Sequence, residues 1–361
     1  MKKHLLITVV LLMCFSFAHG QSKYSNEFLS LGIGARGLAM GNTMCAISDD
    51  VTAAYWNPAG LGRMDKKYQL SLMHAEYFAG VAKYDYAGIG YKIDDRSSVA
   101  LSYIRFGVDN IMNTTELIDA QGNVDYDRIS YFSASDNAFL LSYAYNFEKV
   151  PGLSLGANAK IIYRNIGKFA NAWGFGLDFG LQYNHKGWQA GAMLRDGTST
   201  FNAWNYHLTD QVIDIFHQTG NEIPENELEL TLPALMLGAG KYVELGKGFN
   251  ATFALGLDCT FDGKRNTLIK SNVLSMDPHF GMEFAYKKIV ALRAGIGNFQ
   301  QEPDFDGKKK TTLQINLGVG VCIKNIVSID YAFTDLGDIS IAQYSHIISL
   351  KVAIDRFKKQ Q

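Results

Sequence analysis

Few residues in this 361-residue chain have the types and spacing that chemistry needs. Asp304-Phe305-Asp306-Gly307 sets two carboxylates ahead of a turn glycine, a spacing that suits either loose calcium binding or an ordinary solvated turn. His207 and His217 share one loop segment but stand ten apart with no cysteine near, which is poor spacing for a metal pair. His346 and Ser349 are three apart, and on a strand that places them on opposite faces, out of reach of each other. No serine stands in Gly-x-Ser-x-Gly, and His-Glu-x-x-His is absent. These residues predict no enzyme, no cofactor and no metal centre.

The elements that hold them are legible from residue 68 onward. In Trp173-Gly174-Phe175-Gly176-Leu177-Asp178-Phe179-Gly180-Leu181 every second residue is large and apolar, and Leu313-Gln314-Ile315-Asn316-Leu317-Gly318-Val319 repeats the pattern. On a β-strand this puts apolar side chains on one face and polar or absent ones on the other. Fourteen such strands are expected, near 68–75, 84–93, 97–106, 136–147, 153–165, 172–184, 188–195, 232–242, 250–261, 278–287, 289–297, 311–323, 326–334 and 346–355. Connections after even-numbered strands are short, as in His185-Lys186-Gly187 and Lys324-Asn325. Those after odd-numbered strands include the long segments 107–135, 196–231, 262–277, 298–310 and 335–345. This parity predicts an all-β, antiparallel, transmembrane barrel with short periplasmic turns and longer external loops.

The positions in phase with the polar face carry Lys160, Arg164, Asp178, Asp258, Glu283, Arg293, Asp330 and Lys351. A bare charge at membrane depth is costly unless paired or wet. Mixed signs therefore predict pairing inside the barrel, with a polar channel as the alternative.

The ends of the chain set its compartment. Lys2-Lys3, an apolar stretch from Leu5 to Phe17 and Ala18-His19-Gly20 form an export signal expected at 1–20. Lipidation at Cys14 is the weaker reading, because Met13 is a poor neighbour for it. Without 1–20 the chain has 32 basic against 35 acidic residues, a net charge of −3. No basic excess points to nucleic acid. Of the remaining cysteines, Cys259 falls in phase with the lipid face and Cys322 with the lumen, while Cys45 precedes the barrel. They form no disulfide framework, although a Cys45–Cys322 bridge is topologically open.

Two further segments remain. Segment 21–67 is rich in small residues and suits a compact plug inside the barrel formed by 68–361. Its glycines are not a phosphate loop, since Gly-Lys-Ser/Thr is missing. Segment 196–231 is the candidate partner-binding loop. Thr209 can cap a short helix that places Val212, Ile213, Ile215 and Phe216 on one side, preceded by Trp204 and Tyr206. Such a piece either docks a partner or folds over its own barrel mouth.

Gly34-Ala35-Arg36-Gly37-Leu38-Ala39-Met40-Gly41, then Asp49-Asp50, then Tyr55-Trp56-Asn57-Pro58-Ala59-Gly60-Leu61 resemble the N-terminal signature of the PorV/PorQ family. That family belongs to the wider FadL-like group of outer-membrane proteins. The resemblance implies a fourteen-stranded outer-membrane barrel with an N-terminal plug. It also implies work in type IX secretion, binding secretion-system or exported cargo proteins. FadL proteins instead pass small hydrophobic molecules, and a structural subunit of another outer-membrane machine is a third reading. Within the motif, Asp49, Asp50, Asn57, Pro58 and Gly60 either hold the plug against the wall or gate a route past it. Outer-membrane lipid is the remaining expected partner.

Overall fold

A computed structural model of the chain describes residues 24–118, 122–303, 309–336 and 344–355. The export signal, Cys14 and Asp304-Phe305-Asp306-Gly307 lie outside the described residues. Strands run β1 Tyr68–Tyr77, β2 Ala82–Lys92, β3 Ser97–Asn113, β4 Ser130–Asn146, β5 Leu153–Ile166, β6 Ala170–His185 and β7 Trp188–Arg195. They continue as β8 Thr200–Tyr206, β9 Leu228–Thr231, β10 Ala234–Gly246, β11 Phe249–Thr260, β12 Ile269–Lys270 and β13 Ser275–Tyr286. The last are β14 Val290–Pro303, β15 Lys309–Ile323, β16 Val327–Thr334 and β17 Ser345–Ile354.

The wall is a closed antiparallel barrel of fourteen strands. Each wall strand pairs with the next, β7 with β10, β11 with β13, and β17 returns to β1 with Tyr68 opposite Ile354. Short β8, β9 and β12 belong to the external ends and add no strand to the circuit. Closure removes every free edge, the condition for a sheet to stand in lipid.

The period-two pattern explains which way each residue faces. Along β6, Trp173, Phe175 and Phe179 are exposed, whereas Ala172, Gly174, Gly176, Asp178 and Gly180 are buried. Leu101, Leu141, Leu255, Leu292, Leu317 and Ile348 extend the exposed apolar band around the barrel. Tyr143, Tyr183, Trp188, Phe249 and Tyr286 lie near the short-turn rim, where amphipathic rings suit a lipid interface. Cys259 keeps the outward register of Phe253 and Leu255 yet is buried, so neighbouring side chains cover it. Cys45, Cys259 and Cys322 are all free, so the Cys45–Cys322 bridge does not form.

The external ends are longer than alternation predicts. Segment 107–135 is not all loop: β3 runs on to Asn113 and β4 starts at Ser130, across a register shift between Val108 and Ile111. Asn113 Nδ2 donates to Ser130 Oγ at 3.1 Å there. Backbone pairing continues beyond the apolar band, where side chains no longer alternate. Segments 196–231 and 298–310 are likewise partly strand for the same reason.

Candidate functional site

Residues 24–67 thread the barrel as short helical turns, and several wall glycines make room for them. A Cβ on Gly281, Gly295 or Gly318 would run into Met40, Gly41 or Ala39 of the plug. These positions therefore carry no side chain because a backbone passes there.

Asn57 is the most connected residue of the motif. Its Nδ2 donates to Cys45 O at 2.9 Å, Leu181 O at 3.0 Å and Ala192 O at 3.3 Å, and its Oδ1 accepts from Ala59 N–H at 3.2 Å. One fully buried amide thus joins two plug turns to β6 and β7. Pro58 packs against Gly156 and Gly180, and Gly60 lies against Ser48 O and Gln182. Cys45 sits in this knot, and burial, reinforced by Asp258, pushes its thiol up to about 12.

The two motif acids reach opposite partners. Asp50 Oδ1 accepts from Thr52 N–H at 2.9 Å and from Thr52 Oγ1 at 2.5 Å, while Oδ2 accepts from Lys351 Nζ at 2.7 Å. Burial alone raises the Asp50 carboxyl. Lys351 and the Thr52 hydroxyl outweigh it and hold the group well below the usual carboxylate range. Asp49 pairs with Arg36 at 3.0 Å. Arg36 also bridges to Glu283 at 3.0 Å, Glu283 to Arg293 at 2.6 Å, and Arg293 to Asp330 at 2.7 Å. Lys160 is buried between Asp178 at 2.8 Å and Asp196 at 2.5 Å, and the half-buried Arg164 lies between Asp136 at 2.8 Å and Glu229 at 3.1 Å. The inward charges that alternation selected are therefore paired, as expected of a low-dielectric interior. Asp258 differs: among the described residues its ion-pair partner is His279, with Nε2 at 3.5 Å.

Two chambers flank the plug. An outer one of about 600 Å³ is bounded by plug residues Leu31, Leu38 and Asn42 and by the long-loop ends of the wall. An inner one of about 400 Å³ opens between the Arg36 network and the short turns. Segment 38–44 separates them. The outer chamber also reaches Asp196, Leu232 and Pro233, where the wall ladder is interrupted. There β6 pairs Phe179 with Leu194 and Phe175 with Phe201, so four steps on one strand face seven on its neighbour. Asp196 and Ser199 take φ of 54° and 57° to form this bulge. Lys160, the Asp196 N–H donating to Asp178 Oδ1 at 2.8 Å, and the Thr200 hydroxyl donating to Asp196 Oδ1 hold it.

In the candidate partner loop the wall holds Trp204, while the helix leaves much of its surface exposed. Residues Asp210–Thr219 form the expected helix with Thr209 at its N-cap position, but the Thr209 side chain makes no capping bond. Val212 is buried, and Ile215 and Phe216 are half-buried. Trp204 Nε1 donates to Glu229 Oε2 at 2.6 Å, and Arg164 lies 5.0 Å over its ring. Sequence reasoning missed His279, Asp277 and Asp196. Asp277 and His279 occupy inward positions of β13, but Pro278 and an early strand start obscured the alternation there. His207 meets Asn171 at 3.1 Å, and His346 meets Tyr331 at 2.5 Å on the outer face, away from Ser349 Oγ, which bonds Ala35 N–H at 2.7 Å.

No protein-family model matches the chain, and no characterised protein matches it by sequence. Solved structures do match. A monoaromatic hydrocarbon channel, CymD, superposes with a TM-score of 0.59 at 13% identity, over 90% of this chain and 98% of that one. The Pseudomonas putida toluene transporter TodX gives 0.55 at 12% identity, over 90% and 99%. The Ralstonia pickettii toluene transporter TbuX gives 0.53 at 14%, over 90% and 98%. At these identities the likeness is one of fold. The chain shares their barrel fold, here with fourteen wall strands around a plug, and its exposed apolar band places it in the bacterial outer membrane.

Proposed function

We propose that the barrel passes a small, partly apolar solute inward from the cell surface. One observation carries this reading: the outer chamber touches the interrupted stretch of wall at Asp196, Leu232 and Pro233, while the plug beneath it is bonded on several sides. A solute entering from outside meets the weakest part of the ladder before it meets the plug. The neighbouring folds named as hydrocarbon and toluene transporters support the same direction. In this reading Asn57, Pro58 and Gly60 keep the plug seated, Asp50 ties it to the opposite wall through Lys351, and Asp49 braces the Arg36 that bridges to Glu283.

A second reading is docking of an exported or secretion-system protein on the external rim. Its support is the exposure of Ile118, Val124 and Tyr126 on the β3–β4 connection, together with the PorV/PorQ resemblance of the plug motif. A deletion strain separates the two. Defective uptake of small hydrophobic substrates with normal secretion fits the conduit. Loss of selected surface proteins with intact uptake overturns it in favour of export.

A further inference from the structure

Four of the short turns stand side by side in the wall, those joining β6 to β7, β10 to β11, β13 to β14 and β15 to β16. With the adjoining strand ends they carry Lys186, Lys241, Lys247, Lys287, Lys288 and Lys324 against one acid, Glu244. The whole chain, by contrast, has a formal net charge of −1. Elsewhere on the same rim the charges cancel: Arg96 pairs with Glu148 at 3.1 Å and Lys66 with Asp355 at 2.8 Å. Among the described residues none of the six arc lysines has a carboxylate within ion-pair distance, and all but the half-buried Lys241 are exposed.

Turn geometry does not call for lysine at these places. Lys186, Lys247, Lys287 and Lys324 take φ of 47°, 53°, 50° and 53°, the left-handed region where Gly, Asn and Asp are the relaxed choices. Their surroundings are those of a lipid interface. Lys241 Nζ lies 4.5 Å over the Trp188 ring and Lys287 Nζ 5.2 Å over the Tyr286 ring, and both rings are exposed on the outward face. Leu245, Ile289 and Ile323 are exposed in the same turns and carry the apolar band down to the rim. An ammonium over an aromatic ring at the edge of such a band stands at the depth of lipid headgroups.

We propose that this arc of the short-turn rim binds the headgroups of anionic phospholipids in the periplasmic leaflet, their phosphates on the lysines and their acyl chains along the exposed apolar band. Charge complementarity and continuity with the lipid-facing wall both favour this occupant. The proposal goes beyond the conduit reading and does not depend on it. It makes the barrel's lipid contact one-sided: the half of the rim from β6 to β16 holds anionic lipid, and the half with the Arg96–Glu148 and Lys66–Asp355 pairs does not discriminate.

Calorimetric titration of the purified full chain in non-ionic detergent, with dihexanoyl phosphatidylglycerol against dihexanoyl phosphatidylcholine, tests this. A lysine near an anionic surface strengthens binding about fivefold, so the anionic lipid should bind at least about tenfold tighter at low salt. That preference should shrink as salt is added. Lys186→Asn, Lys247→Asn, Lys287→Asn and Lys324→Asn in one chain should remove most of it, and asparagine suits the left-handed turns it enters. Lys92→Gln with Lys149→Gln, outside the arc, should keep it. Equal binding of the two lipids by the native chain would overturn the proposal and leave an acidic protein as the occupant to seek. Displacement of bound phosphatidylglycerol by inorganic phosphate would overturn it in favour of a small-anion site. A preference kept in the fourfold variant, or lost equally in the outside pair, would overturn the assignment to this arc. The lipid comparison on native protein needs no variant to fold, and heat-modifiable migration checks the barrels of those that are made.

Discussion

Lys351 Nζ lies 2.7 Å from Asp50 Oδ2, an ion pair between residues 301 positions apart that ties the last wall strand to the plug. Both side chains are largely shielded, so neither partner is readily solvated alone. Lys351→Met should therefore cost about 3–5 kcal/mol by stranding the Asp50 carboxylate. The double change Asp50→Asn with Lys351→Met should recover most of it. Thermal unfolding followed by heat-modifiable migration reads both outcomes. A double variant no better than the single one would mean that the pair is not what seats Asp50.

The same pair sets a pH dependence. Asp50 is held below the usual carboxylate range in the folded chain, against about 3.9 when unfolded. Its contribution is therefore fully present above the unfolded value and is lost as pH falls through the folded one. Hydrogen exchange of plug amides, taken relative to the intrinsic exchange rate at each pH, should be flat between pH 7 and the ordinary carboxylate range and should rise only in stronger acid. In Asp50→Asn that acid-dependent rise should shrink.

The Asn57 amide has polar contacts in the plug and on β6 and β7. Asn57→Ala leaves the Cys45, Leu181 and Ala192 carbonyls without this donor, at about 1–3 kcal/mol for each group that finds no other partner. The barrel ladder itself does not depend on the side chain. The expected result is a folded barrel with a loosened plug, seen as faster sugar permeation in proteoliposome swelling. Unchanged permeation with reduced barrel yield would assign Asn57 to folding rather than to seating the plug.

The wall was readable from the sequence because its two signals are local. Alternation reports which face a residue takes, and turn length reports which side of the membrane a connection lies on. All fourteen wall strands follow from these, as does the inward placement of Lys160, Asp178, Glu283 and Lys351. What joins distant segments was not readable. Nothing local shows that Lys160 takes Asp196 as a second partner, because that contact needs a bulge with Asp196 at φ 54°. Nor does the Asn-Pro motif show that Asn57 reaches Leu181 and Ala192, which depends on where the plug settles against the wall. The Asp258–Asp277 pairing requires the β11–β13 register across an intervening loop.

Membrane orientation follows from turn lengths and is open to labelling. Lys186 and Lys247 stand in the tight β6–β7 and β10–β11 turns, and Asn221 is exposed just after the external helix. With Cys45, Cys259 and Cys322 replaced, a cysteine at position 221 should react with an impermeant thiol reagent on intact cells. Cysteines at 186 and 247 should react only after the outer membrane is opened. Labelling at 186 on intact cells would invert the assigned topology.

Leu177 and Asp178 are neighbours that face opposite environments, and the two should fail for different reasons. Leu177 points outward into the apolar band, where Arg costs about 2–4 kcal/mol near mid-membrane. Leu177→Arg should lower the yield of assembled barrel while leaving any assembled fraction with a normal interior. Asp178 is buried beside Lys160, and its Oδ1 also accepts the Asp196 N–H at 2.8 Å. Asp178→Asn leaves Lys160 with Asp196 alone and weakens the bulge that borders the outer chamber. Its barrel should assemble but unfold earlier, and Lys160→Met in the same chain should deepen the loss by stranding the buried Asp196 carboxylate. Matched measurements of assembly yield and unfolding temperature separate the two. If Asp178→Asn lowers assembly yield as Leu177→Arg does, and adding Lys160→Met makes nothing worse, the buried Lys160 cluster is not the element that holds the bulge.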